Sequence, residues 1–417
     1  MFSVRFVFLL CCLCSLTWAF PKQFENVKVI RVIEVDSGIA REDVGVRAKN
    51  VDNQPASDYY FYLPQIVTDN AASISAFLRK QKTELDVVFQ QVEDGMNVYK
   101  VTLNEAVKPQ EDVLLGIKVA YTHVIKPMPT KLPQVARQHT IYAYNSYFLS
   151  PYVTKEVKTT LQTPSKGIVS HTAAEGKSTV NNNKVTLGPY FDIAPSSFEL
   201  ATCHFENPKP LLTITQLERD IEVSHWGKNL AVEEHYALRN DGASLETDFS
   251  RVQYMMTAHI HEQTNVWKGL RFNLPAGARD AYYRDEVGNV STSNFRVEPT
   301  KAVLEIKPRF PLFGGWNTTW YQGFNTDLGA YVHKTKTGKY ILNVKFVENV
   351  QDMTINKAVV RIVLPEGSKH VKVTAPFDLD AKEITSHFTY FDSTGRTMVV
   401  LEKKNVVKEH ELPIQVF

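Results

Sequence analysis

The clearest shortage in this chain of 417 residues is of cysteine. Only four cysteines occur, and Cys11, Cys12 and Cys14 all fall in the apolar N-terminal stretch. If that stretch is removed, Cys203 has no partner for an intrachain disulfide. The stability of the fold then has to come from buried area, because no covalent cross-link contributes. We interpret Cys203 as an ordinary buried thiol, ahead of an interchain link or a reactive group.

An excess of charge of one sign is also missing. The chain has 47 Lys and Arg residues against 45 Asp and Glu residues, and Lys403-Lys404 is merely a pair. Nucleic-acid binding depends on clustered neutralisation of phosphates. The composition therefore argues against nucleic acid as a partner.

Long apolar runs are absent beyond the N-terminus. Arg5, an apolar stretch over residues 6–16 and the small-residue exit ending at Ala19 are typical of a secretory signal. We predict a signal peptide over residues 1–19 with cleavage after Ala19, while a buried core segment or a short anchor is the alternative. No later run approaches the roughly 20 residues that a membrane-spanning helix needs.

Helical periodicity is scarce, whereas alternation is common. Runs rich in β-branched residues occupy positions 28–35, 113–119, 359–364 and 398–401, with Gly, Pro, Asn and Asp between them. This pattern predicts a mainly β fold of two tandem β-sandwich-like domains with few helices. Residues 71–85 stay open, because Ile74, Phe77 and Leu78 have helical spacing while residues 73–75 alternate.

An internal echo indicates a tandem repeat. Residues 31–35 (RVIEV) are matched by residues 219–223 (RDIEV), and Asn50 is matched by Asn240 once two residues are inserted. We therefore predict a first domain over residues 24–207 and a second over residues 208–417. Their boundary falls where Pro208 and Pro210 interrupt the strand pattern.

Established catalytic signatures are missing too: no nucleophile elbow, phosphate loop or dinucleotide fingerprint occurs. Adjacent Asp285 and Glu286 would point to opposite faces of a strand, so they cannot form the carboxylate pair of a glycosidase. A structural network of arginine and carboxylate around Gly288 is favoured, followed by contact with a partner. His259 and His261 would share a strand face, but no third zinc ligand is placed by the sequence. We predict no catalytic, cofactor-binding or metal-binding residue.

What is present is a set of three strings dense in aromatic, charged and turn-forming residues. They are Ser224-His225-Trp226-Gly227, residues 282–293 (YYRDEVGNVSTS) and residues 307–316 (KPRFPLFGGW). We interpret His225 and Trp226 as packing with one hydrogen bond, ahead of a sugar-binding platform. Residues 307–316 are interpreted as a rigid aromatic corner, ahead of a ligand pocket or a protein contact.

In order and spacing these strings resemble the ribophorin I family over roughly residues 24–417. The resemblance implies a non-catalytic accessory subunit of the oligosaccharyltransferase, on the lumenal side of the endoplasmic-reticulum membrane. That complex transfers a preassembled glycan from dolichyl diphosphate to Asn in Asn-x-Ser/Thr of nascent proteins. The implied partners are nascent polypeptides and the other subunits, one of which would be catalytic, and no cofactor is implied. Family members continue into a membrane helix, so attachment would use a helix beyond residue 417 or partners.

Two sequons lie in turn-rich segments, at Asn289-Val290-Ser291 and Asn317-Thr318-Thr319. We predict that Asn289 and Asn317 carry glycans. Two rival functions stay open at this point. One is a free-standing secreted β-sandwich module that recognises glycans or peptides, and the other is a hydrolase with a cryptic site.

Overall fold

A computed structural model describes residues 23–257, 263–336, 338–390 and 392–417. Strands dominate these ranges, and the mainly β, sandwich-like fold predicted from alternation is confirmed. In the described ranges, no helix has the length and apolar character needed to cross a bilayer. The signal peptide over residues 1–19, cleavage after Ala19 and the pair His259 and His261 lie outside the described residues.

In the first half, from residue 23 onward, the structure has fifteen strands, a short helix α1 (Gln65–Thr68) and a 3-10 turn (Ala174–Gly176). The strands are β1 (Phe24–Asp36), β2 (Ile39–Asn50), β3 (Ala56–Pro64), β4 (Ala71–Leu78), β5 (Thr83–Glu93), β6 (Met96–Val107), β7 (Asp112–Thr122), β8 (Ile125–Pro127), β9 (Lys131–Leu132), β10 (His139–Asn145), β11 (Thr154–Gln162), β12 (Ile168–His171), β13 (Ser178–Asn181), β14 (Lys184–Ile193) and β15 (Leu200–Glu206).

In the second half, the described residues form eighteen strands, the helix α2 (Arg251–Thr257) and two 3-10 turns (Leu328–Ala330 and Lys408–His410). The strands are β16 (Leu212–Ser224), β17 (Asn229–Asn240), β18 (Ser244–Leu245), β19 (Val266–Trp267), β20 (Leu270–Pro275), β21 (Arg279–Asp285), β22 (Gly288–Asn289), β23 (Asn294–Val297), β24 (Lys301–Ile306), β25 (Leu312–Phe313), β26 (Asn317–Asp327), β27 (Val332–Lys334), β28 (Tyr340–Lys345), β29 (Thr354–Val363), β30 (Val373–Thr374), β31 (Ala381–His387), β32 (Arg396–Val406) and β33 (Pro413–Val416).

The first half packs two sheets face to face. A ten-stranded sheet has the order β13-β14-β11-β1-β2-β7-β4-β5-β6-β3, and a four-stranded sheet has the order β12-β15-β10-β8. Alternate residues of β1, including Val29 and Ile33, join Tyr142 and Phe205 of the smaller sheet in one buried cluster. The alternation in the sequence is thus the alternation between core and outer face.

The second half repeats this arrangement with a more divided second layer. Its main sheet has eight strands in the order β22-β21-β26-β17-β16-β29-β32-β31. A three-stranded sheet (β20-β24-β23) and a four-stranded sheet (β27-β28-β33-β30) contribute to the same buried cluster. Phe272 and Leu304 of the former, with Ile414 of the latter, pack in the cluster that holds Ile221 and Val360 of the main sheet. The second core is therefore also enclosed between layers.

The internal echo corresponds to the same hairpin in both halves. β1 pairs with β2 antiparallel and with β11 parallel, while β16 pairs with β17 antiparallel and with β29 parallel. Phe24 lies opposite Asn50, and Leu212 lies opposite Asn240. The loop at residues 225–228 is two residues longer than the loop at residues 37–38, as the sequence alignment requires. The two matched sequence segments therefore form similar hairpins.

The two matched asparagines make the same hydrogen bonds. The Asn50 amide donates to the carbonyls of Gln54 and Val107, at 2.8 Å each, and its oxygen accepts from the Asp52 amide. The Asn240 amide likewise donates to two carbonyls, at 2.9 and 3.0 Å, and its oxygen accepts from the Gly242 amide. Each buried side chain satisfies loop backbone groups that would otherwise be costly to bury.

The two halves contact each other closely. Residues 207–210, where the domain boundary is predicted, join β15 to β16, and the buried Asn207 amide donates to the Ser37 carbonyl at 3.0 Å. Lys209 forms ion pairs with Asp36 and Asp352, which lie in different halves. In addition, β9 pairs with β18 in parallel. These contacts join the two halves and do not mark a division between them. The domain boundary therefore stays a prediction.

The segment that the sequence leaves open, residues 71–85, forms β4 and the beginning of β5. Ile74 and Ala76 lie opposite Val119 and Ile117 of β7, so this segment completes the central part of the ten-stranded sheet. Tertiary pairing therefore outweighs the helical spacing of the same apolar residues.

Cys203 lies on β15 and has no exposed surface. Burial raises the pKa of its thiol to about 12, so the thiolate is scarce at neutral pH. In the chain without residues 1–19, we expect Ellman's reagent to leave Cys203 unmodified at pH 8 and to titrate one thiol per chain in urea. A Cys203→Ala chain is the control in which no thiol reacts. Rapid modification of Cys203 in the folded protein would contradict its burial.

Candidate functional site

The second string, residues 282–293, forms the hairpin of β21 and β22 at the edge of the eight-stranded sheet. The Asp285 carboxylate closes the turn, because it accepts from the Val287 and Gly288 amides at 3.0 and 3.1 Å. Arg309 of the third string forms a two-point ion pair with the same carboxylate. The predicted arginine–carboxylate network around Gly288 is present. Its arginine is Arg309, whereas the adjacent Arg284 donates to Asn289.

This network fixes the charge of Asp285. The hydrogen bond from Arg309, aided by the two backbone amides, lowers the pKa of the carboxyl below its ordinary value. The neighbouring Glu286 accepts a hydrogen bond of 2.7 Å from the Thr319 hydroxyl. A glycosidase needs one of its two carboxyls to carry a proton. Asp285 instead serves as an ionised turn brace.

The third string, residues 307–316, forms a tight aromatic corner. A Cβ atom on Gly314 would lie 2.0 Å from the Ala243 carbonyl oxygen, and Gly315 has a φ of +82°. The resulting turn brings Trp316 back against Phe313, with ring centroids 5.6 Å apart. Phe249 packs edge-on to Trp316 in the same cluster. The rigid corner favoured by the sequence is therefore what the structure contains.

The first string, Ser224-His225-Trp226-Gly227, begins at the last residue of β16 and continues into the loop between β16 and β17. Trp226 is 85% exposed and touches the His225 ring at a centroid distance of 5.1 Å. The interpretation of these two residues as packing is wrong, because both are exposed and the indole contacts the neighbouring imidazole. Exposure of a whole indole to water is unfavourable, because its apolar surface is not removed from solvent. Exposed tryptophans are typical anchors of protein contacts.

A shallow depression of about 310 Å³ lies beside these elements, lined by Glu218, His235, Glu286 and Tyr321 among others. His235 stacks on Tyr321, with centroids 5.1 Å apart and planes 15° apart. Nothing in the sequence pattern singles out His235, because its ring partner comes from a different strand. In the described part of the chain, no group of three or more His, Cys, Asp or Glu residues could hold a metal ion.

Comparison with known proteins decides the family. The family model described as Ribophorin I matches residues 24–417. The chain belongs to the ribophorin I family.

Curated relatives of this ribophorin I family chain carry one name, dolichyl-diphosphooligosaccharide–protein glycosyltransferase subunit 1. Subunit 1B of Arabidopsis thaliana is 34% identical over 95% of this chain and 86% of its own length. Subunit 1 of Caenorhabditis elegans is 35% identical over 93% of this chain and 66% of its own length. Subunit 1A of Arabidopsis thaliana is 32% identical, with coverages of 94% and 64%. The chain thus spans just under two thirds of the last two relatives.

Solved structures resemble this family member only distantly. Leukotriene A4 hydrolase from Saccharomyces cerevisiae aligns with a TM-score of 0.29 and 10% identity, over 44% of this chain and 29% of that chain. A likeness at this level carries no argument about fold or function.

Both sequons of this ribophorin I family chain lie on the surface. Asn289 and Asn317 are exposed, in β22 and at the start of β26. The hydroxyl-bearing residues Ser291 and Thr319 are exposed as well. Glycan attachment needs an accessible Asn-x-Ser/Thr segment, so this placement supports the prediction for both sites.

We expect endoglycosidase treatment to increase the electrophoretic mobility of the protein expressed through the secretory pathway. The shift should be smaller in Asn289→Gln and in Asn317→Gln. For Asn289 the structure supplies a matched pair of serine variants. Ser291→Ala destroys the sequon, whereas Ser293→Ala, two residues further on, leaves it intact. Equal shifts for the wild type and Ser291→Ala would show that Asn289 is unoccupied.

Proposed function

We propose that this chain is a non-catalytic, lumenal subunit of the oligosaccharyltransferase at the endoplasmic-reticulum membrane. In this role it supports transfer of a preassembled glycan from dolichyl diphosphate to Asn in Asn-x-Ser/Thr of nascent proteins. Its partners are the other subunits of the complex, including the one that carries the catalytic residues, and the nascent polypeptides.

Membership of the ribophorin I family over residues 24–417 is the observation that carries this proposal. The curated relatives are named as subunit 1 of the glycosyltransferase, at up to 35% identity. The three strings add physical support. Asp285 and Arg309 are used in a brace and Phe313 in a packed corner, whereas Trp226 is left in water. A scaffold that acts by contact has this distribution of rigid and exposed groups.

Co-purification tests the proposal. A tagged full chain expressed in eukaryotic cells should migrate on native gels with membrane proteins of the glycosyltransferase. We further expect Trp226→Ala to weaken that association by at least about tenfold, because buried indoles at interfaces contribute around 2 kcal/mol or more. Quantitative pull-down at graded partner concentration provides the measurement.

Tyr390→Ala is the matched control, since Tyr390 is also an exposed aromatic, with a relative exposure of 103%. Its association should equal that of the wild type. Migration of the wild-type chain as a monomer would reject the subunit role and favour the free-standing secreted module. Equal losses in both variants would reject the Trp226 loop as the contact.

A further inference from the structure

A cavity of about 500 Å³ lies in the first half, between the ten-stranded and four-stranded sheets. Its walls are mainly aromatic and aliphatic, and they include Phe61, Tyr62, Tyr142, Tyr144, Phe148 and Phe198. The volume falls in the range of sites that hold small molecules. Native cores are otherwise packed to crystal-like density, so an apolar space of this size is unusual for a purely structural interior.

Two buried polar atoms at this cavity lack partners. The Tyr144 hydroxyl and the Arg31 Nε are buried and make no hydrogen bond to any residue that the structure describes. Both residues line the cavity, with relative exposures of 5% and 6%. A buried donor without a partner is unfavourable. A ligand oxygen that bonds either atom would relieve that cost.

The buried charges at the cavity are paired with each other. The Arg31 guanidinium pairs with the buried Glu42 carboxylate and donates to the Tyr147 carbonyl at 3.3 Å. A second carboxylate or a phosphate here would place another negative charge beside Glu42 without water to solvate it. The buried end of the cavity, at Arg31 and Glu42, therefore favours a neutral group, while the exposed Lys126 also belongs to the lining.

The rim supplies a route from solvent. Phe198 and Leu200 line the cavity, yet they are 51% and 56% exposed. Phe198 lies in the connection between β14 and β15, and Leu200 begins β15. Exposed apolar side chains at a cavity mouth are typical of sites that capture apolar molecules.

We propose that the cavity between the two sheets of the first half binds a neutral amphiphile. Its apolar body contacts the aromatic walls, and its hydroxyl or carbonyl oxygen bonds the Tyr144 hydroxyl. This site is independent of the subunit role, because it uses no residue of the three strings.

Fluorescence of the neutral dye Nile red, titrated into the detergent-free full chain, tests this site. We expect saturation at one dye per chain and displacement by 1-decanol, while decanoate displaces it far less. Absence of saturable binding, or equal displacement by decanoate, would overturn the proposal. Displacement by a phenylalanine-rich peptide but not by decanol would assign the cavity to polypeptide and overturn it equally.

Two variants locate the ligand. Phe198→Ala should weaken dye binding roughly fivefold through lost apolar contact, whereas Phe191→Ala, which is 62% exposed and does not line the cavity, should not change it. Tyr144→Phe should weaken decanol roughly three- to tenfold and leave folding intact, because the hydroxyl has no protein bond to lose. Equal losses of dye affinity in Phe198→Ala and Phe191→Ala would refute the site, as would an unchanged decanol affinity in Tyr144→Phe.

Discussion

Arg219→Met is expected to lower the free energy of unfolding by about 3–5 kcal/mol. Arg219 is buried in β16 and forms ion pairs with Glu234 and with Glu348, the latter at 3.5 Å. Burial acts to lower the Arg219 pKa, but the two carboxylates outweigh it and the pKa is raised. Removal of the guanidinium would leave buried negative charge without a partner. Urea unfolding followed by circular dichroism measures the loss.

Arg47→Met is the surface control for this prediction. Arg47 pairs with Asp112, but its side chain is 55% exposed, so the expected change stays below about 1 kcal/mol. Arg31→Met is the corresponding change in the first half, where Arg31 pairs with the buried Glu42. A loss for Arg219→Met no larger than that for Arg47→Met would show that the buried pair contributes little.

Acidification from pH 6.5 to pH 4 is expected to remove about 3 kcal/mol of stability through His410. This histidine is 3% exposed, and its Nδ1 accepts a hydrogen bond of 3.1 Å from the Val407 amide. Burial, with the nearby positive charge of Lys403, lowers its pKa to about 4. In the unfolded chain this histidine has its ordinary pKa near 6.5, so it binds a proton at a higher pH than in the folded chain. Acid therefore favours unfolding between pH 6.5 and pH 4.

His410→Gln isolates that contribution. A glutamine oxygen can accept from the Val407 amide but does not titrate, so the variant should lose stability less steeply between pH 6.5 and pH 4. Carboxylates titrate equally in both proteins, and the difference between the two curves reports His410 alone. Parallel curves would mean that the buried imidazole is protonated in the folded state.

The strands could be predicted because each buries one face. Val29 and Ile33 of β1 alternate with outward residues, and the same period marks β29 and β32. The equivalence of the hairpins is also visible in the sequence, since Asn50 and Asn240 follow matched segments and each donates to two backbone carbonyls. Local periodicity and a repeated polar residue can both be recognised in a single sequence.

The features that escaped prediction depend on pairings between distant segments. Residues 71–85 fit both a helix and a strand, and the partner strand β7 decides the matter. Trp226 is exposed although its residue type favours burial, because it lies in the turn between β16 and β17. The cavity brings Arg31 together with Tyr144, more than a hundred positions later, and no periodicity connects them.

The parallel pair of β9 and β18 joins Lys131-Leu132 to Ser244-Leu245, across the predicted boundary. During synthesis the first of these segments leaves the ribosome well before the second. At typical translation rates it waits roughly 6–20 seconds for its partner. The N-terminal part can build its own sheets in that interval but has to keep one short edge open. The pairing of β9 with β18, which joins the two halves, is thus a late step of folding. Misfolding should concentrate at this strand pair.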